Sequence, residues 1–276
     1  MYKILAKREL AKDINEYVIH APLVAKNAKP GQFIILRVDK EGERVPFTIC
    51  DMNKVLGTIT ILVQTIGATT AKLALLGAGD SIEDFVGPLG NATDLTEYDK
   101  VMLVGGGIGG AVIYPQAKLL HRIGKSPVTV MGARNRDLLL YEEEMRNHSE
   151  RFYPMTDDGS YGEKGFVTNK VKELLESEKF DAILAVGPLP MMEAVCKVSK
   201  DYDVKTIVSM NSVMVDGTGM CGCCRVTVGG KTLYACVDGP EFDGQLIDFA
   251  EAKARSKFYK EFEQDHLCKI RGMQKN

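Results

Sequence analysis

Val101-Met102-Leu103-Val104-Gly105-Gly106-Gly107-Ile108-Gly109-Gly110-Ala111 sets the architecture of the chain. Four apolar residues predict a short buried strand, the glycines a tight turn, and the stretch from Ala111 to Ile123 a helix. A strand that turns through glycine into a helix opens a doubly wound α/β domain. Two further apolar runs follow, Val128–Met131 and Ala182–Val186. Strands buried on both faces read as continuous apolar runs, so a parallel sheet is expected over residues 98–205.

Gly105, Gly107 and Gly110 satisfy G-x-G-x-x-G between strand and helix. Glycines let a backbone approach a diphosphate, and a helix N-terminus offers it unpaired N–H groups. The acidic residue usual about 20 positions on is missing; the second strand leads instead into Gly132-Ala133-Arg134-Asn135. The competing reading is a turn that only packs helix on strand. Gly187, Pro188 and Met191 follow the third strand, at the carboxyl end where ligands bind in such sheets.

Residues 1–97 differ. Short alternating bursts, Glu16–His20, Gln32–Val38 and Thr58–Val63, are punctuated by Pro30-Gly31, Gly57, Gly67 and Gly87-Pro88. This predicts a small antiparallel β-barrel, interrupted by one helix from Thr69 to Leu76. Within it, Arg44-Val45-Pro46-Phe47-Thr48 joins a phosphate-binding side chain to an apolar wall and a hydroxyl. Gly67-Ala68-Thr69-Thr70 is a second candidate phosphate cradle, or a helix start capped by Thr69.

The third region is Asp216-Gly217-Thr218-Gly219-Met220-Cys221-Gly222-Cys223-Cys224, followed by Cys236. Cysteines so close together, in a reducing compartment, indicate metal before disulfide. Cys221, Cys224 and Cys236 supply three thiolates and Asp216 a fourth anion, wrapped by glycines that suit an iron–sulfur cluster. A structural zinc site and dithiol redox chemistry are the alternatives; His20, His121, His148 and His266 all lie outside the segment. Cys50, Cys196 and Cys268 are expected to be small core residues. The cluster module is placed at 206–243. The tail, 244–276, is expected to hold one surface helix from Gln245 to about Lys269.

The formal net charge of −2 gives no footprint for nucleic acid or an anionic membrane. No apolar run reaches the roughly 20 residues of a spanning helix. The first residues lack a signal peptide's apolar stretch, so a cytoplasmic protein is expected.

Together these motifs resemble, in order, the ferredoxin–NADP reductase superfamily. More narrowly they resemble the electron-transfer subunits of dihydroorotate dehydrogenases. Asp216 in place of the first cluster cysteine, and the long tail, are similar to the small subunits of NADH-dependent reduced ferredoxin:NADP oxidoreductases, which are flavin-based bifurcating complexes. The resemblance implies FAD, a 2Fe–2S cluster and NAD(H) as cofactors. It implies a larger flavin and iron–sulfur subunit as partner in a heterodimer, with ferredoxin served indirectly. Electrons would pass from NADH through FAD to the cluster and on to the partner. FAD contacts would come from Arg44, Pro46, Phe47, Thr48, Val63, Gln64, Thr65, Gly67, Ala68, Thr69 and Thr70. The NAD site would use Gly106, Gly107, Ile108, Gly109, Arg134, Asp158, Gly187, Pro188 and Met191. Asp216, Cys221, Cys224 and Cys236 would ligate the cluster, leaving Cys223 surplus. Arg134 and Arg136 would also suit a 2′-phosphate, so NADP stays open. A dihydroorotate dehydrogenase subunit is the close alternative; a non-catalytic zinc scaffold is the alternative of another class.

Overall fold

The computed structural model describes residues 1–258 and, beyond them, 262, 263, 265, 267 and 268. Alternation shapes the first third. In Ile14–His20, Tyr17 and Ile19 are buried while His20 is exposed. That strand lies in a five-stranded antiparallel sheet, ordered Asp51–Asn53, Thr58–Gln64, Ile14–His20, Tyr2–Ala11, Ser81–Ile82. A second antiparallel sheet orders Val45–Thr48, Phe33–Arg37 and Asp84–Leu89. Between them lies a core that includes Ile4, Tyr17, Ile34, Leu36, Ile59 and Ile61. The helix spans Ala68–Ala74, and the buried Tyr17 hydroxyl donates to Leu73 O at 3.0 Å, fixing it to the barrel.

The second domain is a seven-stranded sheet. Its order is Glu163–Lys164, Arg151–Thr156, Val128–Ala133, Val101–Gly106, Ala182–Val186, Lys205–Ser209, Glu241–Asp243. All pairs are parallel except the last. Alternate residues of Val101–Gly106 serve two cores. Met102 and Val104 pack with Val171 and Val195, from the helices Val167–Ser177 and Leu189–Lys200. Val101 and Leu103 pack with Ala117 and Leu120 on the other face. The helix expected over Ala111–Ile123 is divided into Gly109–Val112 and Tyr114–Arg122, meeting at Ile113. Pro115, in the first turn of the second piece, has no N–H to carry the ladder through.

The sheet runs to Ser209, past the expected boundary at 205. The chain leaves it there, forms the cysteine loop and the hairpin Arg225–Val228/Lys231–Tyr234, and returns at Glu241, which pairs with Ser209. The tail differs from expectation. Gly244–Leu246 is a single 3-10 turn and Ile247 bridges to Val228. The helix starts only at Phe249, where the Asp248 carboxylate accepts from Glu251 N at 2.9 Å, and it ends at Arg255. The expectation from 256 to Lys269 falls partly outside the described residues. Cys268 is exposed, not a core residue, whereas Cys50 and Cys196 are buried as expected. Among the described residues no helix is long and apolar enough to cross a membrane.

Candidate functional site

A cavity of about 1600 Å³ opens between the barrel and the carboxyl edge of the parallel sheet. The barrel wall presents Arg44, Pro46, Phe47, Thr48, Gln64, Gly67, Ala68, Thr69 and Thr70. The sheet edge presents Gly106, Gly107, Ile108, Gly109, Arg134, Gly187, Pro188 and Met191. Three residues expected at these sites, Val63, Thr65 and Asp158, lie off the cavity wall. Val63 points into the barrel core, 1 % exposed, because strand alternation turns it away from Gln64. Thr65 is absent from the wall, and its N–H donates to Asp13 O at 2.8 Å. Asp158 is exposed and caps Ser160 N at 2.9 Å; its neighbour Asp157 lines the cavity instead.

The glycines divide into two kinds. A Cβ on Gly109 would stand 2.1 Å from Val186 O, one on Gly105 2.6 Å from Gly110 Cα, and one on Gly110 2.4 Å from Met131 Cε. These three hold helix against sheet. Gly107, at φ +57°, and Gly67 would each put a Cβ into open space. They leave room for a ligand beside the backbone. Gly67 begins Ala68–Ala74 without any side-chain cap of its own. The Thr70 hydroxyl accepts from Gly67 N at 2.9 Å and Ile66 N at 3.0 Å. The first-turn N–H groups thus stay available for an anion. We expect Gly109→Ala to lower unfolding stability by about 1–3 kcal/mol, since a backbone carbonyl must move. Gly107→Ala should cost about 1 kcal/mol from its left-handed conformation. Denaturant titration of both variants checks the order; equal costs would contradict it.

Arg44 reaches across to the cysteine loop. Its Nε donates to Val215 O at 2.7 Å and its Nη2 to Asp216 O at 3.4 Å, leaving further N–H groups on the cavity side. In the loop, the four candidate ligand side chains form two pairs. Cys221 Sγ is 3.3 Å from Asp216 Oδ1, and Cys224 Sγ is 3.3 Å from Cys236 Sγ. Among the described residues no three such side chains converge on one point. Two separate pairs suit a binuclear cluster, one pair per iron, better than a single tetrahedral zinc ion. Burial, with the adjacent Cys224, pushes the Cys236 thiol up to about 12. Such a pair becomes doubly charged only beside a bound cation, which is what a cluster iron supplies.

Asp216 also organises the loop. Its carboxylate accepts from Thr218 N, Met220 N and Cys221 N at 3.2, 2.9 and 3.1 Å. Burial works against its charge, but the bonds from Thr218 and Cys221 hold the carboxyl well below the usual carboxylate range. Cys224 is buried, whereas its neighbour Cys223 is half-buried and lines the cavity. The sequence reading missed Cys223 as a wall residue, together with Phe166, Thr168 and the segment from Ser209 to Val215. The last lies at the carboxyl end of Lys205–Ser209; reading that strand would have exposed it.

Comparison with known proteins agrees with this layout. Residues 103–197 match the model of the oxidoreductase NAD-binding domain. Residues 211–248 match the iron–sulfur cluster binding domain of dihydroorotate dehydrogenase B. The chain is 44% identical over 261 residues to a dihydroorotate dehydrogenase B (NAD(+)) electron transfer subunit homolog of Thermotoga maritima, covering 95% of this chain and 92% of that one. It is 34% identical to the corresponding subunit of Streptococcus pneumoniae, covering 87% and 97%. The chain belongs to the dihydroorotate dehydrogenase B electron-transfer subunit family. It is therefore an oxidoreductase electron-transfer subunit with an NAD-binding domain and an iron–sulfur module. A chain of the NADH-dependent reduced ferredoxin-NADP oxidoreductase structure superposes with a TM-score of 0.92 at 42% identity, covering 98% of both chains. Phthalate dioxygenase reductase, at 17% identity and a TM-score of 0.61, shares the fold.

Proposed function

We propose that the chain is the small subunit of an electron-bifurcating NADH-dependent reduced ferredoxin:NADP oxidoreductase, a cytoplasmic complex. Asp216 carries this reading: an aspartate carboxylate stands in the cluster loop beside Cys221, and the full-length likeness to that complex supports it. Bound here, FAD would supply the conversion of a hydride's electron pair into single electrons, and a 2Fe–2S cluster would supply one-electron transfer.

The chain's own residues divide the work. Thr48 and Phe47 wall the barrel side where a flavin ring fits, and Arg44 with the Ala68–Thr70 amides receives its diphosphate. Gly107 and its neighbours admit the nicotinamide dinucleotide opposite. Cys223, in the cluster loop, and the segment Val213–Val215 line the cavity, so the flavin side and the cluster loop share a wall. Asp216, Cys221, Cys224 and Cys236 hold the irons.

Purified alone, the chain should show flavin and 2Fe–2S absorption, bleach faster with NADH than with NADPH, and reduce artificial dyes. It should not support ferredoxin-coupled NADP chemistry until a larger flavoprotein subunit is added. Full coupled turnover by the single chain, or stimulation by dihydroorotate of the assembled complex, would sink the reading.

A further inference from the structure

Among the described residues, Glu241 is a half-buried carboxylate that the proposed chemistry leaves unused and that has no ion-pair partner. It opens the strand Glu241–Asp243, directly after Pro240 in the cavity wall and five residues beyond Cys236. Its Oε2 is buried with no hydrogen-bond partner. Gly31, at φ +85°, makes room for it; a Cβ there would lie 2.7 Å from Oε2. Thr93, in the connection between barrel and sheet domain, bonds to the carboxyl. Thr93 O in turn accepts from Gln116 Nε2 at 3.0 Å, and Gln116 Oε1 is a second buried acceptor with no donor. Two orphan acceptors around one threonine are a place where a proton is missing.

Among the described residues, the surrounding elements supply no cation to Glu241. On the turn, Lys29 interacts with Asp94 of the domain connection. On the helix, Lys118 pairs with Asp51, His121 meets Ser126, and Arg122 is exposed. On the neighbouring strand Lys205 lies over the Tyr98 ring. Asp238 and Asp243 are held by Tyr234 N and Gln245 N. Desolvation alone therefore governs the group and pushes its carboxyl up to about 7, with Thr93 opposing.

The segment from Cys236 to Glu241 is tied down. Asn91 N donates to Gly239 O at 2.6 Å, Asn91 Nδ2 to Val237 O at 2.9 Å, and Met210 N to Pro240 O at 2.8 Å. Even fully extended, five residues span at most about 18 Å. Charges at that separation inside a protein still interact, because interior screening is weak.

We infer that Glu241 is a proton-binding partner of the iron–sulfur loop, taking one proton from solvent when the loop receives one electron. This rests on the iron–sulfur reading, but not on which four residues are ligands. The step balances: one electron arrives from NADH through the flavin, one proton neutralises the carboxylate, and the net charge of the buried region is unchanged. An added negative charge raises the proton affinity of Glu241. By linkage, a deprotonated Glu241 makes the electron harder to add. The cluster potential therefore falls as pH rises through neutrality, toward a limit of about 59 mV per pH unit, one tenfold step for one electron.

The test is a redox titration of the purified holoprotein from pH 6 to 9, followed by paramagnetic resonance of the reduced cluster. A sloping wild-type potential that becomes flat in Glu241→Gln is expected. Difference infrared spectra on reduction near pH 8 should gain a carboxylic acid C=O band in wild type and not in Glu241→Gln. Glu241→Gln keeps the shape of the protonated acid and is expected to fold; Glu241→Asp, which keeps the titrating group, should retain a slope. A flat wild-type potential, or an unchanged slope in Glu241→Gln, overturns the inference. A holoprotein with no cluster signal would instead overturn the iron–sulfur reading beneath it.

Discussion

Asp216→Ala should strip the cluster from the chain, while Cys223→Ser should leave it in place. Asp216 is 3.3 Å from Cys221 Sγ, as Cys224 is from Cys236. Removing it leaves one iron with a single protein donor. Loss of groups that merely orient metal ligands already costs about 10–100-fold in affinity, so loss of a direct ligand should at least reach that range. Cys223 lines the cavity and interacts with Cys221, but it stands outside the Cys224–Cys236 pair, and Asp216 is the group 3.3 Å from Cys221 Sγ. Because Asp216 also caps the loop, Asp216→Asn is the sharper variant. It keeps an acceptor for Thr218 and Cys221 but loses the anionic ligand. Asp216→Cys should retain a 2Fe–2S cluster with a changed potential. Iron content after gel filtration and paramagnetic resonance of the reduced proteins decide. If Cys223→Ser lost the signal and Asp216→Asn kept it unchanged, Cys223 would be the ligand.

Arg44→Ala should release FAD from an otherwise folded chain. A charge-assisted bond to a phosphate typically contributes ~1.5–3 kcal/mol, on the order of 10- to 150-fold in affinity. Arg44 also ties the barrel to the cluster loop through Val215 O, so the variant should loosen both sites together. Arg44→Lys restores the charge without the planar fork and should recover only part of the affinity. Flavin fluorescence on dilution gives the dissociation constant. Unchanged retention in Arg44→Ala would remove Arg44 from the diphosphate site.

The sheet domain and the barrel were legible because their patterns are local. Val101–Val104 and Ala182–Val186 are buried on both faces and so are apolar throughout. Arg151–Thr156 escaped because its partner on one side is only the two-residue strand Glu163–Lys164, and it tolerates Arg151 and Pro154. Glu241–Asp243 escaped because its place depends on pairing with Ser209. The cavity wall divides similarly. Gly67, Gly107 and Arg44 stand in motifs whose chemistry is visible in residue type. Asp157 replaced Asp158 through a turn that strand periodicity does not fix, and Val63 went inward because adjacent residues of one strand face opposite ways. The tail misled because its helix-forming composition says nothing of the Asp248 cap that sets its start.

The cysteine loop leaves the sheet at Ser209 and comes back at Glu241, two residues hydrogen-bonded side by side. An excursion closed at its own base can open without unzipping the wall it grows from. Chelating the iron should accordingly act as a local melt. Backbone amides of the hairpin Arg225–Val228/Lys231–Tyr234 should exchange with deuterium quickly in the stripped protein. Those of Val101–Gly106 and Ala182–Val186 should keep their protection. On that outcome the nucleotide-binding body would stand without the metal, and loading of the cluster would be a late, reversible event on a finished scaffold.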